Sequence, residues 1–253
     1  MLELDEILQL MAQLRDPDTG CPWDLAQTFE SIVPHTLEEA YEVAAAIESK
    51  NMAELPLELG DLLFQVVFYC QLAKEQHQFD FKDVLVGLKQ KLIERHPHVF
   101  AQQPQPDWEQ NKTQQRQQQG LASLMDDLPL TLASLSRAQK VQKRAASVGF
   151  DWGELAPILA KVHEEIAEVL EEANRPMVNK QALQLELGDL LFSVVNLARH
   201  LGVDAEQALR LSTHKFASRF RQVEMQVQKS GRLFSQHTLQ ELDCYWIEAK
   251  KHS

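Results

Sequence analysis

Residues 51–64 read NMAELPLELGDLLF, and residues 179–192 read NKQALQLELGDLLF. Ten of these fourteen positions are identical at a constant offset of 128. Self-similarity on this scale marks a duplicated structural unit. The match extends outward. Glu38-Glu39-Ala-Tyr-Glu42 is echoed by Glu164-Glu165-Ile-Ala-Glu168. An arginine eight residues before a tryptophan recurs as Arg15 with Trp23 and Arg144 with Trp152. Downstream, Lys91 and Arg95 return as Lys215 and Arg219, and Trp108 with Lys112 returns as Trp246 with Lys250.

Apolar positions recur at three and four residues almost throughout, as in Glu38–Ile47 and Ala205–Val227, with good helix formers between them. Period-two alternation bounded by turn residues is scarce. The expected fold is all-α, two tandem helical domains. The stretch 102–120, QQPQPDWEQNKTQQRQQQG, is rich in glutamine and proline and poor in aliphatic residues. Its second part reads as a connection. The expected layout is therefore an N-terminal domain at 1–112, a linker at 113–122 and a C-terminal domain at 123–253.

The chain carries 37 acidic against 25 basic residues, a formal charge of −12. Such a surface disfavours nucleic acid and anionic membrane as partners. Three distant cysteines, Cys21, Cys70 and Cys244, give neither a disulfide framework nor zinc spacing, and suit a reducing cytoplasm. The N-terminal MLELDEILQLMAQL is acidic and amphipathic, unlike a signal peptide, and no uninterrupted apolar run has the length of a membrane span.

The acidic repeat points to a metal. Residues three and four apart share a helical face. Glu39 and Glu42 therefore point together with Glu38 beside them, and Glu58 and Asp61 share a face of the next helix. A short connection around Asn51 makes the two helices antiparallel neighbours, so four or five carboxylates converge. Glu58 and Asp61 lie in LPLELGDLLFQVVFYC, apolar nearly all round. Carboxylates there cost several kcal/mol unless paired or metal-bound. No lysine or arginine lies within either acidic motif. Oxygen-only ligation favours Mg2+, with Mn2+ as a substitute, over zinc. Di-iron bundles use Glu-x-x-His, whereas both second helices here carry Glu-x-x-Asp.

The Glu-Glu-x-x-Glu run followed by Glu-x-x-Asp resembles the signature of the MazG family of all-α nucleoside triphosphate pyrophosphatases. CPWDLAQTFESIVPHTLEEAYE, Cys21 to Glu42, and KRAASVGFDW, Lys143 to Trp152, are similar to stretches of its two-domain bacterial members. No P-loop glycine motif is present. The resemblance implies hydrolysis between the α and β phosphates, giving nucleoside monophosphate and pyrophosphate. It implies metal ligation by Glu165, Glu168, Glu186 and Asp189, with counterparts Glu39, Glu42, Glu58 and Asp61. It also implies a homodimer whose helices form four-helix bundles around the sites.

Within that frame, Glu164, and Glu38 in the first half, is the carboxylate left to orient or deprotonate water. Lys215 and Arg219 share a helical face suited to a triphosphate, and Trp246 with Lys250 suits a base and a phosphate. Lys140, Lys143 and Arg144 add cations that the N-terminal half lacks at two of three positions, where it has Met11 and Leu14. The C-terminal half is thus expected to be the main catalytic one, because a triphosphate needs charge-assisted contacts. Two alternatives stand beside this: a helical regulatory or scaffold protein that binds nucleotide without turnover, and a pyrophosphatase restricted to dUTP or a modified base.

Overall fold

A computed structural model describes residues 2–101 and 122–251. The Trp108–Lys112 pair and, apart from Ala122, the expected linker at 113–122 lie outside the described residues. Every regular element among those described is helical, and the chain divides into two compact units whose boundary falls within the glutamine-rich stretch.

In the first unit, α1 (Leu2–Leu14), α2 (Pro22–Leu25), α3 (Phe29–Glu48), α4 (Leu55–Glu75), α5 (Phe81–Arg95) and α6 (Pro97–Phe100) follow in order. The long α3–α4 hairpin is the centre, with α1 and α5 packed on α4. Local chemistry sets the boundaries. Thr28 opens α3 with a capping box, its Oγ1 accepting from the Ser31 N–H while the Ser31 Oγ accepts from the Thr28 N–H. Pro56 falls in the first turn of α4, where its missing N–H costs nothing. Asp80 and Asp83 cap α5 reciprocally. Pro97 follows α5 closely, and that helix stops at Arg95.

The core joins Met11 of α1, Ile32 of α3, Val67, Phe68, Cys70 and Leu72 of α4, and Phe81 of α5. Phe68 is completely buried, worth about 1.5–3 kcal/mol of transfer free energy. The Arg15 guanidinium lies 5.4 Å from the centre of its ring. Arg15 holds the Glu75 carboxylate through Nε at 2.9 Å and Nη2 at 2.7 Å, and its Nη1 donates to the Asp24 carbonyl. One arginine thus ties α1, α2 and α4 together. Helix α4 is long and apolar enough to cross a membrane by composition. Here it is the central helix of the hairpin, with Glu58 beside α3's acids.

The second unit repeats the plan with α7 (Ser134–Ala146), α8 (Leu155–Ala173), α9 (Lys180–His200), α10 (Ala205–Lys229) and α11 (Leu239–Lys251). The α8–α9 hairpin is its centre. Helix α7 packs on α9, α10 packs on α7 and α9, and α11 lies along α10. Asn179 caps α9 through the Gln181 N–H at 3.0 Å, and Asp204 caps α10 through the Gln207 N–H at 2.8 Å. With no proline after its arginine, α10 continues to Lys229. Gly149, at φ +87°, turns the chain out of α7 and delivers Phe150, Asp151 and Trp152 to the side of the α8–α9 hairpin.

Candidate active site

Helix period puts the acids where the spacing requires. Carboxylate oxygens of Glu39, Glu58 and Asp61 lie within 4.8 Å of one another, and so do those of Glu165, Glu186 and Asp189. That separation suits oxygens around one divalent cation, whose metal–oxygen distances run from about 2.0 to 2.6 Å. Glu42 stands beside its cluster, sharing hydrogen bonds with Glu39 and Glu58. Desolvation first, and then the charge of Glu42, hold both of those carboxyls above the usual range. Glu168 is likewise pushed up by desolvation first and then by Glu165, with Lys161 opposing and Glu186 and Glu164 adding.

Glu165 gives the clearest signal. It is 4% exposed, and its Oε2 is buried without a hydrogen-bond partner among the described residues. A buried carboxylate oxygen left unpaired is costly. A cation held by Glu165, Glu186 and Asp189 removes the cost, so this donor set fits a hard divalent ion.

The structure corrects the expectation that nothing relieves the acids. Lys161, one turn before them on α8, lies 2.7 Å from Glu165 Oε1 and 3.0 Å from Glu164 Oε1. These bonds, to Glu165 first, raise its pKa and keep it protonated. Its repeat counterpart is His35, whose Nδ1 lies 3.8 Å from Glu38.

The C-terminal acids border a cavity of about 780 Å3 lined by Glu165, Asp189, Lys161, Arg199, Trp152 and Gln142 among others. Arg199 is pinned there, donating to Asp151 at 2.5 Å and to Asn196. A second cavity, about 130 Å3, lies in the first unit between α1, α4 and α5, and Glu39, Glu42, Glu58 and Asp61 are not among the residues that line it.

The other expected cations are placed differently. Arg144 donates to the carbonyls of Leu124 and Asp126 at 2.6 Å each and to Asp127 at 2.7 Å. It fastens the segment before α7, much as Arg15 fastens the first unit. Lys140 and Lys143 stand exposed on α7 and do not line the cavity. Lys215 and Arg219 sit on α10 on either side of Phe216, whose ring packs 4.9 Å from that of Trp246. The Lys250 ammonium lies 6.0 Å from the Trp246 ring centre. Lys215 and Arg219 lie on α10 and Trp246 and Lys250 on α11, and none of the four lines the cavity. Lys161, Arg199, Asn196 and Gln142 were missed from sequence. Only Lys161 carried a readable signal, a basic residue one helical turn ahead of Glu165.

The MazG nucleotide pyrophosphohydrolase domain matches this chain twice, over residues 27–100 and 154–224. The chain belongs to the MazG family. It is 48% identical to the nucleoside triphosphate pyrophosphohydrolase of Escherichia coli K12, across 99% of this chain and 98% of that protein. It is also 43% identical to the nucleoside triphosphate pyrophosphohydrolase/pyrophosphatase MazG of Thermotoga maritima, across 97% of this chain and 95% of that one. The two MazG matches each contain one complete acid set, so duplication and metal chemistry coincide.

Proposed function

We propose that the C-terminal acids, with Lys161 and the cavity they border, are the centre at which this MazG protein works. The chain hydrolyses nucleoside triphosphates to nucleoside monophosphate and pyrophosphate. The observation that carries the assignment of the centre is the unpartnered, buried Oε2 of Glu165, beside Glu186 and Asp189 and next to a cavity.

Glu165, Glu168, Glu186 and Asp189 would hold Mg2+, with Mn2+ able to replace it. Bound there, the ion supplies charge neutralisation for the triphosphate and an acidified water. Glu164 is 56% exposed at its side chain and bonded only to Lys161 among the groups named here, which leaves it oxygens to take the water's proton. The water oxygen bonds to the α phosphorus, the bridging oxygen leaves with pyrophosphate, and Lys161 can turn its charge from the carboxylates to the phosphates. Lys215, Arg219, Trp246 and Lys250 form a second cationic group that would meet the triphosphate from α10 and α11.

The domain limits at 1–112 and 123–253, the cytoplasmic setting and a homodimer complete the proposal. Leu187, Leu191 and Val194 leave an exposed apolar stripe along α9, and Leu59, Leu63 and Val66 leave its repeat along α4. Stripes of this kind close four-helix bundles. A base-restricted substrate remains compatible with these acids.

The test is product analysis with a nucleotide panel, Mg2+ and 18O-labelled water. Monophosphate and pyrophosphate should form, with the label in the monophosphate. ADP and orthophosphate from ATP, or label in pyrophosphate, would overturn the reading.

A further inference from the structure

We propose that Lys161 is an exchangeable counter-ion, which competes with free divalent metal for Glu165 and passes its charge to the triphosphate when metal and nucleotide arrive together. The centre then takes up the metal–nucleotide complex in preference to free metal. This rests on the pyrophosphohydrolase reading and adds to it how the charges enter the site.

Lys161 bridges two unlike carboxylates, with Nζ 2.7 Å from Glu165 Oε1 and 3.0 Å from Glu164 Oε1. The Glu165 side chain is 5% exposed, and one of its oxygens lies within 4.8 Å of oxygens of Glu186 and Asp189. The Glu164 side chain is 56% exposed and stands outside that cluster. One partner of the ammonium is therefore a candidate metal ligand, and the other is not.

Glu165 does not serve two cations equally. A divalent ion drawing on it sets two positive charges beside the ammonium, and around so buried a carboxylate little water screens them. Lysine is a point charge on a flexible four-carbon stem, and the Lys161 side chain is 37% exposed, so it has room to swing aside. It keeps Glu164 as a partner on the exposed side. It also lines the cavity of about 780 Å3 that the acids border, where a triphosphate would meet it.

Linkage gives the consequence. Free metal must displace Lys161 and leave its charge close by, whereas metal arriving with a triphosphate brings the anion that takes up the ammonium. Lys161 thus weakens the first equilibrium and strengthens the second. The N-terminal repeat shows that the acids do not by themselves call for a lysine. There the matching residue is His35, whose Nδ1 lies 3.8 Å from Glu38, the counterpart of Glu164. The permanent cation stands in the unit whose acids border the large cavity.

The experiment makes two binding measurements on full-length protein. The first is Mn2+ affinity without nucleotide, followed by electron paramagnetic resonance of the free ion, the C-terminal sites being those that Asp189→Asn removes. The second is the Kd of α,β-methylene ATP at saturating Mn2+. Wild type is compared with Lys161→Gln and Lys161→Arg, and Lys161→Met serves where the glutamine variant does not fold. The neutral variants should bind Mn2+ about tenfold more tightly, the scale on which a neighbouring charge alters a carboxylate's hold on a proton. They should bind the nucleotide analogue at least about tenfold more weakly. Lys161→Arg, which keeps the charge, should stay near wild type in both. A lysine that merely supports the fold would weaken both equilibria when replaced. Mn2+ affinity unchanged or lowered in the neutral variants, or raised equally in Lys161→Arg, would overturn the proposal while leaving the pyrophosphohydrolase intact. A wild type that releases no monophosphate from any nucleotide, or that has no Mn2+ sites dependent on Asp189, would overturn both.

Discussion

Lys161 Nζ lies 2.7 Å from Glu165 Oε1, and the position matching Lys161 in the first repeat is His35. The two acid sets therefore differ in their counter-charge although their carboxylates match one for one. In the C-terminal unit a permanent cation bridges the first two acids and faces a cavity. In the N-terminal unit desolvation first, and then the charges of Glu42 and Asp61, hold the Glu39 and Glu58 carboxyls high. With Lys140 and Lys143 exposed on α7 and Arg144 bonded to the segment before it, Lys161 is the cation that favours the C-terminal centre.

Glu168→Ala and Asp189→Asn should each lower kcat by at least about a hundredfold, since even outer partners of metal ligands cost ten- to a hundredfold. Glu42→Ala and Asp61→Asn should leave most of the activity. Steady-state rates on folded, correctly assembled variants check this. Equal losses from both sets would assign catalysis to both units.

Lys161→Gln should raise KM for the triphosphate more than it lowers kcat, and should tighten the salt dependence of neither. The side chain it replaces is already paired with two carboxylates, so the charge given to substrate is partly offset by the charge withdrawn from Glu164 and Glu165. In chelator the same variant should melt earlier, because Glu165 is then buried without its cation. Rates and thermal melts report the two effects separately.

Arg144→Lys should behave as a structural lesion. A lysine cannot reproduce a planar fork that meets two carbonyls and the Asp127 carboxylate. A loss of about 2 kcal/mol, the scale of charge-assisted bonds, is expected in denaturant titrations. KM should move little. A large rise in KM with unchanged stability would return Arg144 to the substrate.

Without divalent ions, stability of the first unit should fall as pH rises above 4.5, the ordinary value for Glu58. The sign follows from linkage: a carboxyl raised in the folded state favours folding while protonated, and that advantage is lost as pH passes its folded value. Glu58→Gln should flatten the slope and raise the midpoint near neutrality. Melting curves in chelator across the pH range provide the measurement. Parallel slopes for wild type and variant would remove Glu58 as a cause.

Leu191→Glu places a charge in the middle of the exposed α9 stripe formed with Leu187 and Val194. Sedimentation should show the homodimer proposed above for wild type and a shift toward monomer for the variant, with secondary structure kept. An unchanged dimer would move the interface elsewhere.

Local physics made much of this protein readable from its residues. The helices depend on neighbours within a turn or so of chain, and the repeat shows in the direct match of residues 51–64 to 179–192. The shared faces of Glu39 with Glu42 and Glu186 with Asp189 follow from the same 3.6-residue period. Lys161 was within reach of that logic, four residues before Glu165 on one face, but it lies outside the acidic motif. What only the tertiary structure decided is where side chains from different helices meet. Arg15 and Arg144 read as equivalent cations, and both are committed to carbonyls and carboxylates far along the chain. Asn196 and Phe68 occupy one repeat position, yet one lines a cavity and the other fills a core. Helical period fixes which residues share a face; packing between helices fixes what that face meets, and long-range contacts carry no period from which to read it.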